Sequence, residues 1–317
     1  MKNAIAQRTG TGIQEQAART LLERFESGKS QKTIEARKND WKDFAGFMGT
    51  DPQNAAEALL TRPLGEANLL ADQYKSSMKE RGLTSATINR RLSSLRILVS
   101  MARTFGFVNW NLEIKNEKRQ RSKKMQGPGT EAVAAMVQGL KRKRTPKAIR
   151  DLALIRLLWD NALRRAEVVG CNISDLDLKA STLQVLRKGK TEKEQIDLAP
   201  QTAKALAAWM RCRKAKNGDD PLFVNFSPSE DGKGRLSSTG LYLIVRSLGE
   251  KVSVRTSPHR IRHSSCVEAS RLGQKAGLAF EDVRDFSGHS DLGALQFYLD
   301  QNKNLQRQYS AMVAAAI

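Results

Sequence analysis

Ile34, Trp41, Phe44 and Met48 fall on one helical face behind Ser30, whose hydroxyl suits an N-cap. A shorter stripe precedes them, Ile13, Ala17, Leu21 and Phe25, again on one face. Ile88, Leu92, Leu95, Val99 and Ala102 repeat at helical spacing after Thr84-Ser85, and Gly106 is placed to stop that helix. Opposite this last stripe lie Asn89, Arg90, Arg91, Ser93, Ser94 and Arg96, a polar and basic face. A solvated face is the ordinary explanation of such a run. Its mixture of Arg, Asn and Ser also suits phosphates and base edges. Residues 1–114 therefore read as one helical domain.

The pattern then lapses. From Lys115 to Gly129 there is no apolar periodicity, cations dominate (Lys118, Arg119, Arg121, Lys123 and Lys124 among them), and the stretch ends in turn formers. This is the expected linker, 115–129, and its charge would draw it to nucleic acid. Residues 130–317 read as a second, mixed domain. Ile149, Leu152, Ile155 and Trp159 mark a helix running into Asn161-Ala162-Leu163-Arg164. Leu183 and Val185 alternate, then Ile196 and Leu198, with Arg187-Lys188-Gly189-Lys190 between them, which predicts a hairpin. A further strand is expected at Leu222-Phe223-Val224, and helices thereafter. The last stripe, Leu305, Tyr309, Met312 and Ala316, ends in an apolar terminus.

Composition narrows the class. At 317 residues, two domains are the default. The 54 Lys and Arg against 33 Asp and Glu leave a net charge of +21, which concentrates phosphate polymers at the surface. Charge alone does not separate a nucleic-acid enzyme from a passively basic protein. Three well-separated cysteines without C-x-x-C spacing argue against a disulfide framework and for a reducing interior. With no signal-like or membrane-spanning apolar run, a cytoplasmic, DNA-associated protein with no membrane partner is expected.

The chemistry-bearing residues cluster in the second domain. Tyr298 follows Gly288-His289-Ser290 by a short run, and His259-Arg260-Ile261-Arg262-His263 lies upstream. A hydroxyl, imidazoles and arginines beside a cationic surface are the parts that phosphoryl transfer on a nucleic-acid backbone requires. His259 and His263, four apart, also suggest a metal pair. However, Arg260 stands where H-E-x-x-H carries its glutamate, and Arg262 would repel a cation, so no metal or other cofactor is expected.

Leu163-Arg164-x-x-Glu167, the Lys188-Gly189 hairpin, His259-x-x-Arg262-His263, Gly288-His289-Ser290 and Tyr298 resemble the tyrosine recombinases, the phage integrase family, in kind and in order. The resemblance covers most of the chain. It implies a mainly α fold with a small β-sheet: a two-domain C-shaped DNA clamp of helical core-binding and catalytic domains. Arg164 and Arg262 would fork onto the phosphate oxygens, Tyr298 would attack, and His259 would accept its proton. Lys188 would protonate the leaving oxygen, His289 would hydrogen-bond the phosphate, and Glu167 would orient Arg164 or His259. Lys190 is the rival hairpin lysine; Lys188 is preferred because the family's lysine precedes the turn glycine. The resemblance further implies a 3′-phosphotyrosyl intermediate and a homotetramer on double-stranded target sites. A C-terminal helix would dock into the neighbouring protomer, and accessory DNA-bending or directionality proteins are compatible with this class.

Some positions depart from the family. Asn161-Ala162 replaces the commoner Thr-Gly, Arg165 adds a cation, and Arg187 stands where glycine is frequent. The short N-terminal segment favours a simple resolvase-type, Xer-like member over a large arm-binding integrase. A type IB topoisomerase or telomere resolvase would use the same nucleophile and arginines. A catalytically silent DNA-binding protein is the alternative of a different class. Among the remaining tyrosines, Tyr74, Tyr242 and Tyr309, the last is better explained by packing.

Overall fold

The hydrophobic stripes of the first third condense into four helices: α1 (Gln31–Met48), α2 (Pro52–Leu60), α3 (Leu64–Glu80) and α4 (Ser85–Thr104). The computed structural model describes residues 31–118, 127–213, 217–226, 234–278, 280–288 and 314. The stripe from Ile13 to Phe25, Ser30 and the stripe from Leu305 to Ala316 lie outside these. The chain divides into two compact units, Met1–Lys123 and Lys124–Ile317.

Helix ends in the first unit follow side-chain chemistry. Asp51 caps α2, accepting from Gln53 N at 2.8 Å and Asn54 N at 3.0 Å, with Pro52 at the first helical position. Thr84 caps α4 through Thr87 N. Gly106 ends α4 as the spacing predicts: at φ 75° it donates to Arg103 O while Phe107 N reaches Ala102 O, a Schellman closure. Trp41, Phe44, Tyr74, Met78, Leu92, Leu95 and Val99 fill the core. Phe44 meets the Tyr74 ring edge-on at 5.0 Å. Tyr74 donates its hydroxyl to Asp43 at 2.7 Å, a structural use for one of the competing tyrosines.

The polar face of α4 is largely committed within this unit. Ser94 Oγ donates to Asp40 at 2.8 Å, Arg90 pairs with Asp40, and Arg91 reaches Asp43 at 2.6 Å. Burial pushes the Asp40 carboxyl up from its usual range, although Ser94 and the two arginines oppose it. Asn89 closes a two-way bond with Glu117, Nδ2 to O at 2.9 Å and N to Oδ1 at 2.7 Å. Arg96 donates to Asn116, and Lys75 to Lys115 O at 3.0 Å. Residues Lys115 to Glu117, expected as linker, are thus strapped onto the helices.

The second unit contains α5 (Gly129–Lys141), α6 (Pro146–Asp160), α7 (Arg165–Gly170), β1 (Leu176–Asp177), β2 (Thr182–Leu186) and β3 (Lys193–Asp197). α8 (Pro200–Arg213), α9 (Ser238–Glu250), α10 (Pro258–Lys275) and α11 (Phe280–Ser287) follow. The fold is mainly helical with one three-stranded antiparallel sheet, ordered β1-β2-β3, in which Leu183 faces Ile196. β2 turns Leu183 and Val185 into the core, the alternation that marked it.

One expectation is met and one changes. Helix α6 packs against α5, α8 and α10, and its deeply buried positions are Ala153, Leu154, Ile155, Leu157 and Leu158. Ile149, Leu152 and Trp159 only flank that core. The four residues of the stripe do mark the helix, and Arg150 and Asp151 are buried beside them: Arg150 donates to Asp151 Oδ1 and, at 2.8 Å, to Val224 O. The expected strand at Leu222-Phe223-Val224 is buried but forms only isolated bridges, Asn172 with Pro221 and Val224 with Arg235. Its bonds go to two different segments, Leu222 N to Cys171 O and Leu236 N to Phe223 O, so no ladder extends.

Asn89→Ala will lower the stability of the first unit by about 1 kcal/mol, because it removes both hydrogen bonds to the half-buried Glu117 backbone. Thermal unfolding checks this, with Ser93→Ala, on the same helix, unchanged.

Candidate active site

Helix α7 starts at a tight corner. Ala162, fully buried, adopts φ 46°, a left-handed conformation strained for a residue with a Cβ, and Leu163 N closes onto Leu157 O. The corner delivers Arg164 to the α7 N-terminus. There Glu167 reaches back to accept from Arg164 N at 2.8 Å, the carboxylate half of a capping box. The second carboxylate oxygen takes Arg164 Nη1 at 2.8 Å.

Glu167 is nearly fully buried and has further partners. Arg187 Nη1 lies 3.5 Å from Oε2 and Lys188 N lies 3.4 Å from Oε1. Burial alone would raise the Glu167 pKa. The hydrogen bonds from Arg164 and the charges of Arg164 and Arg187 outweigh it and hold the carboxyl below its usual value. Of the two orientations expected for Glu167, the contacts are to Arg164.

Arg164 and Arg262 converge on adjacent carbonyls. Arg164 Nη1 and Nη2 both lie 3.1 Å from Gly288 O. Arg262, 1% exposed, donates Nη2 to Ser287 O at 2.8 Å and Nη1 to Ala162 O. The two forks therefore meet at the end of α11, immediately before His289.

Arg262 lies on α10, which Ser257 caps and Pro258 opens. His259, one turn earlier, is exposed at its edge. Partial desolvation, then the charges of Arg262 and Arg164, push its pKa below the ordinary 6.5, so it is neutral near pH 7 and able to accept a proton. His263 is buried, and its pKa is also lowered, first by burial and then by His259. Among the described residues no three of His, Cys, Asp and Glu gather as a metal set.

Lys188 and Lys190 are both exposed on the β2–β3 turn, where Gly189 takes φ 85°. The Lys188 amide touches Glu167, whereas the Lys190 ammonium lies 3.9 Å from Glu194. A cavity of about 360 Å³ opens here, lined by Arg164, Glu167, Arg187, Lys188 and Lys193 among others.

The structure thus gathers Arg164, Glu167, the Lys188 backbone, His259 and Arg262. His289 and Tyr298 lie outside the described residues, as do Arg119, Arg121, Lys123 and Lys124. In the first unit, a groove of about 750 Å³ runs between α1 and α4, with Arg37, Asn89, Arg90, Ser94 and Arg96 along it. Asn89 and Ser94 are buried and satisfied internally, so neither offers a free polar group at rest. Arg91 is mostly covered by Asp43, while Arg90 keeps 47% of its side chain exposed. Lys118 is exposed. Sequence reasoning noted Arg187 only as a departure from the family's frequent glycine and did not assign it to the site.

The phage integrase family model matches residues 130–304. A tyrosine recombinase of Synechococcus elongatus is 34% identical over 92% of this chain and 91% of its own. The Tn1549 transposon integrase, solved with transposon right-end DNA, superposes with a TM-score of 0.64 at 17% identity, covering 92% of this chain and 99% of that one. The XerH site-specific recombinase, in a post-cleavage complex with palindromic difH substrate, gives 0.62 at 18% identity, covering 95% of each. These two solved structures share the fold. On the family match and the Synechococcus likeness, the chain belongs to the phage integrase family and is a tyrosine recombinase.

Proposed function

We propose that the protein recombines double-stranded DNA at specific sites through Tyr298, with Arg164, Arg262, His259, His289 and Lys188 as the catalytic group. The observation that carries this reading is the convergence of two arginine forks on the carbonyls of Ser287 and Gly288, just before His289 in the chain. A scissile phosphate would exchange with the backbone carbonyls at those forks, and its non-bridging oxygens would meet guanidiniums that remain charged at any physiological pH.

The step balances without a metal or ATP. Tyr298 oxygen bonds to phosphorus while the bond to the leaving 5′-oxygen breaks. The phenol, with an ordinary pKa of ~10, gives its proton to neutral His259, and the leaving oxygen takes one from the Lys188 ammonium. The 3′-phosphotyrosyl ester conserves the phosphodiester, so a 5′-hydroxyl from another duplex can reverse the step and exchange strands. Contact of the Lys188 amide with Glu167 favours Lys188 over Lys190.

Arg90, Arg91, Arg96 and the basic stretch Lys118, Arg119, Arg121, Lys123 and Lys124 are the proposed sequence-independent contacts to DNA phosphates. Asn89 and Ser94 act by holding that surface in shape. We place four protomers on two duplexes, joined by the terminal helix. Residues 1–114 form the core-binding domain and 130–317 the catalytic one, about the basic stretch 115–129.

A nicked suicide duplex run on a denaturing gel tests the reading, and products that join two duplexes mark recombination. Tyr298→Phe will bind this DNA normally and form no covalent adduct; an adduct in Tyr298→Phe but not in Tyr309→Phe would reassign the nucleophile. Arg164→Lys and Arg262→Lys will each slow cleavage by about 100-fold or more with little loss of binding, since the charge stays but the fork is lost. Cleavage at subsaturating DNA will fall as pH drops through a pKa below 6.5, where His259 gains its proton. His259→Gln will be slower and lack that acid limb, which a rate–pH profile measures.

A further inference from the structure

From Leu186 to Gln195 the hairpin is exposed at every position except Arg187, which is 6% exposed. An arginine immobilised there gives up about 2 kcal/mol of rotamer freedom, so it must be held by something specific. Three contacts hold it. Its Nη1 lies 3.5 Å from Glu167 Oε2, and its Nε lies 3.4 Å from Glu194 Oε2 on the facing strand. Its guanidinium also lies close to Gly288: a Cβ at that glycine would stand 2.8 Å from Cζ and 2.9 Å from Nε. A side chain at 288 would force the Arg187 guanidinium to shift, and the φ of 61° at Gly288 itself favours glycine.

Arg187 therefore touches the carboxylate that orients Arg164 and the residue whose carbonyl Arg164 holds. Its own neighbour in sequence is Lys188. Consecutive Cα atoms are about 3.8 Å apart, so fixing Arg187 fixes the origin of the Lys188 stem. No other residue between Leu186 and Gln195 is buried to do this.

We infer that Arg187 is a positioning residue for strand cleavage, anchoring the exposed hairpin to Glu167 and the Gly288 turn so that the Lys188 ammonium reaches the leaving oxygen. This rests on Lys188 being the general acid, as proposed above. A purely structural Arg187 would neutralise Glu167 and support the fold without favouring proton delivery.

Leaving-group chemistry separates the two roles. Replacing the leaving 5′-oxygen of the suicide duplex with sulfur removes the need for a proton, because thiols ionise near a pKa of about 8.5. Single-turnover cleavage is measured on both duplexes for the parent protein, Lys188→Ala, Arg187→Gln and Arg187→Lys, alongside thermal unfolding. Arg187→Gln should slow the oxygen substrate by about 30-fold or more, a large part of a general-acid effect of about 100-fold or more, and the sulfur substrate by less than about 3-fold. Lys188→Ala should give the same split, and Arg187→Lys a smaller one. Equal loss on both substrates in Arg187→Gln, or no loss on either, overturns the positioning role while Lys188→Ala keeps its split. Equal loss in Lys188→Ala overturns the acid assignment and this inference with it. If Arg187→Gln does not fold, Arg187→Lys decides: a split supports the role and its absence overturns it.

Discussion

A single buried carboxylate, Glu167, sets the geometry on which the catalytic unit depends. Its two oxygens receive the Arg164 amide, the Arg164 guanidinium, the Arg187 guanidinium and the Lys188 amide, close to the number of acceptor sites a carboxylate offers. These four donors answer three demands of the fold: a helix start, a reactive fork and a strand end. Two cations close to one anion leave a net positive site, which suits an anionic substrate. In a low-dielectric setting such charges are expensive to move, so the cluster is stiff before substrate arrives. The arginines are correspondingly held in place by backbone carbonyls, a dipolar substitute for phosphate oxygens that leaves their charge intact.

The helical unit uses similar means to a different end. Asp40 and Asp43 tie α1 to α4 through Ser94, Arg90 and Arg91, and the segment that follows α4 is fastened at Glu117 by Asn89. A basic face is costly to pack beside itself, and these two acids relieve part of the repulsion. What remains outward, with Arg90 half exposed, is the portion available to an external polyanion.

The sequence revealed local structure better than burial. Gly106 closes α4 as its position requires, and Leu183 and Val185 mark β2, because both signals arise from neighbouring residues along the chain. The Leu163-Arg164-x-x-Glu167 motif was equally legible, since three residues on a helix start suffice to bring acid and arginine together. Long-range satisfaction was not legible. Asn89 and Ser94 look like surface polar residues until Glu117 and Asp40 arrive from elsewhere. Arg187 stands out in the sequence only as a departure from glycine, and Glu167 and Gly288 then enclose it. A buried charge cannot be recognised from its own position, because its partner determines whether it can be buried at all.

The strand-end anchor also bears on how this hairpin can change. Beyond Gly189 the turn through Glu192 holds no buried side chain, and β3 is exposed along most of its length. Residues added or removed there alter only the closure entropy of a small loop, about 0.6 kcal/mol for each doubling of its length. The tip is consequently free to drift in length and composition among descendants of this chain, while the register of β2 and the reach of Lys188 stay where Arg187 sets them.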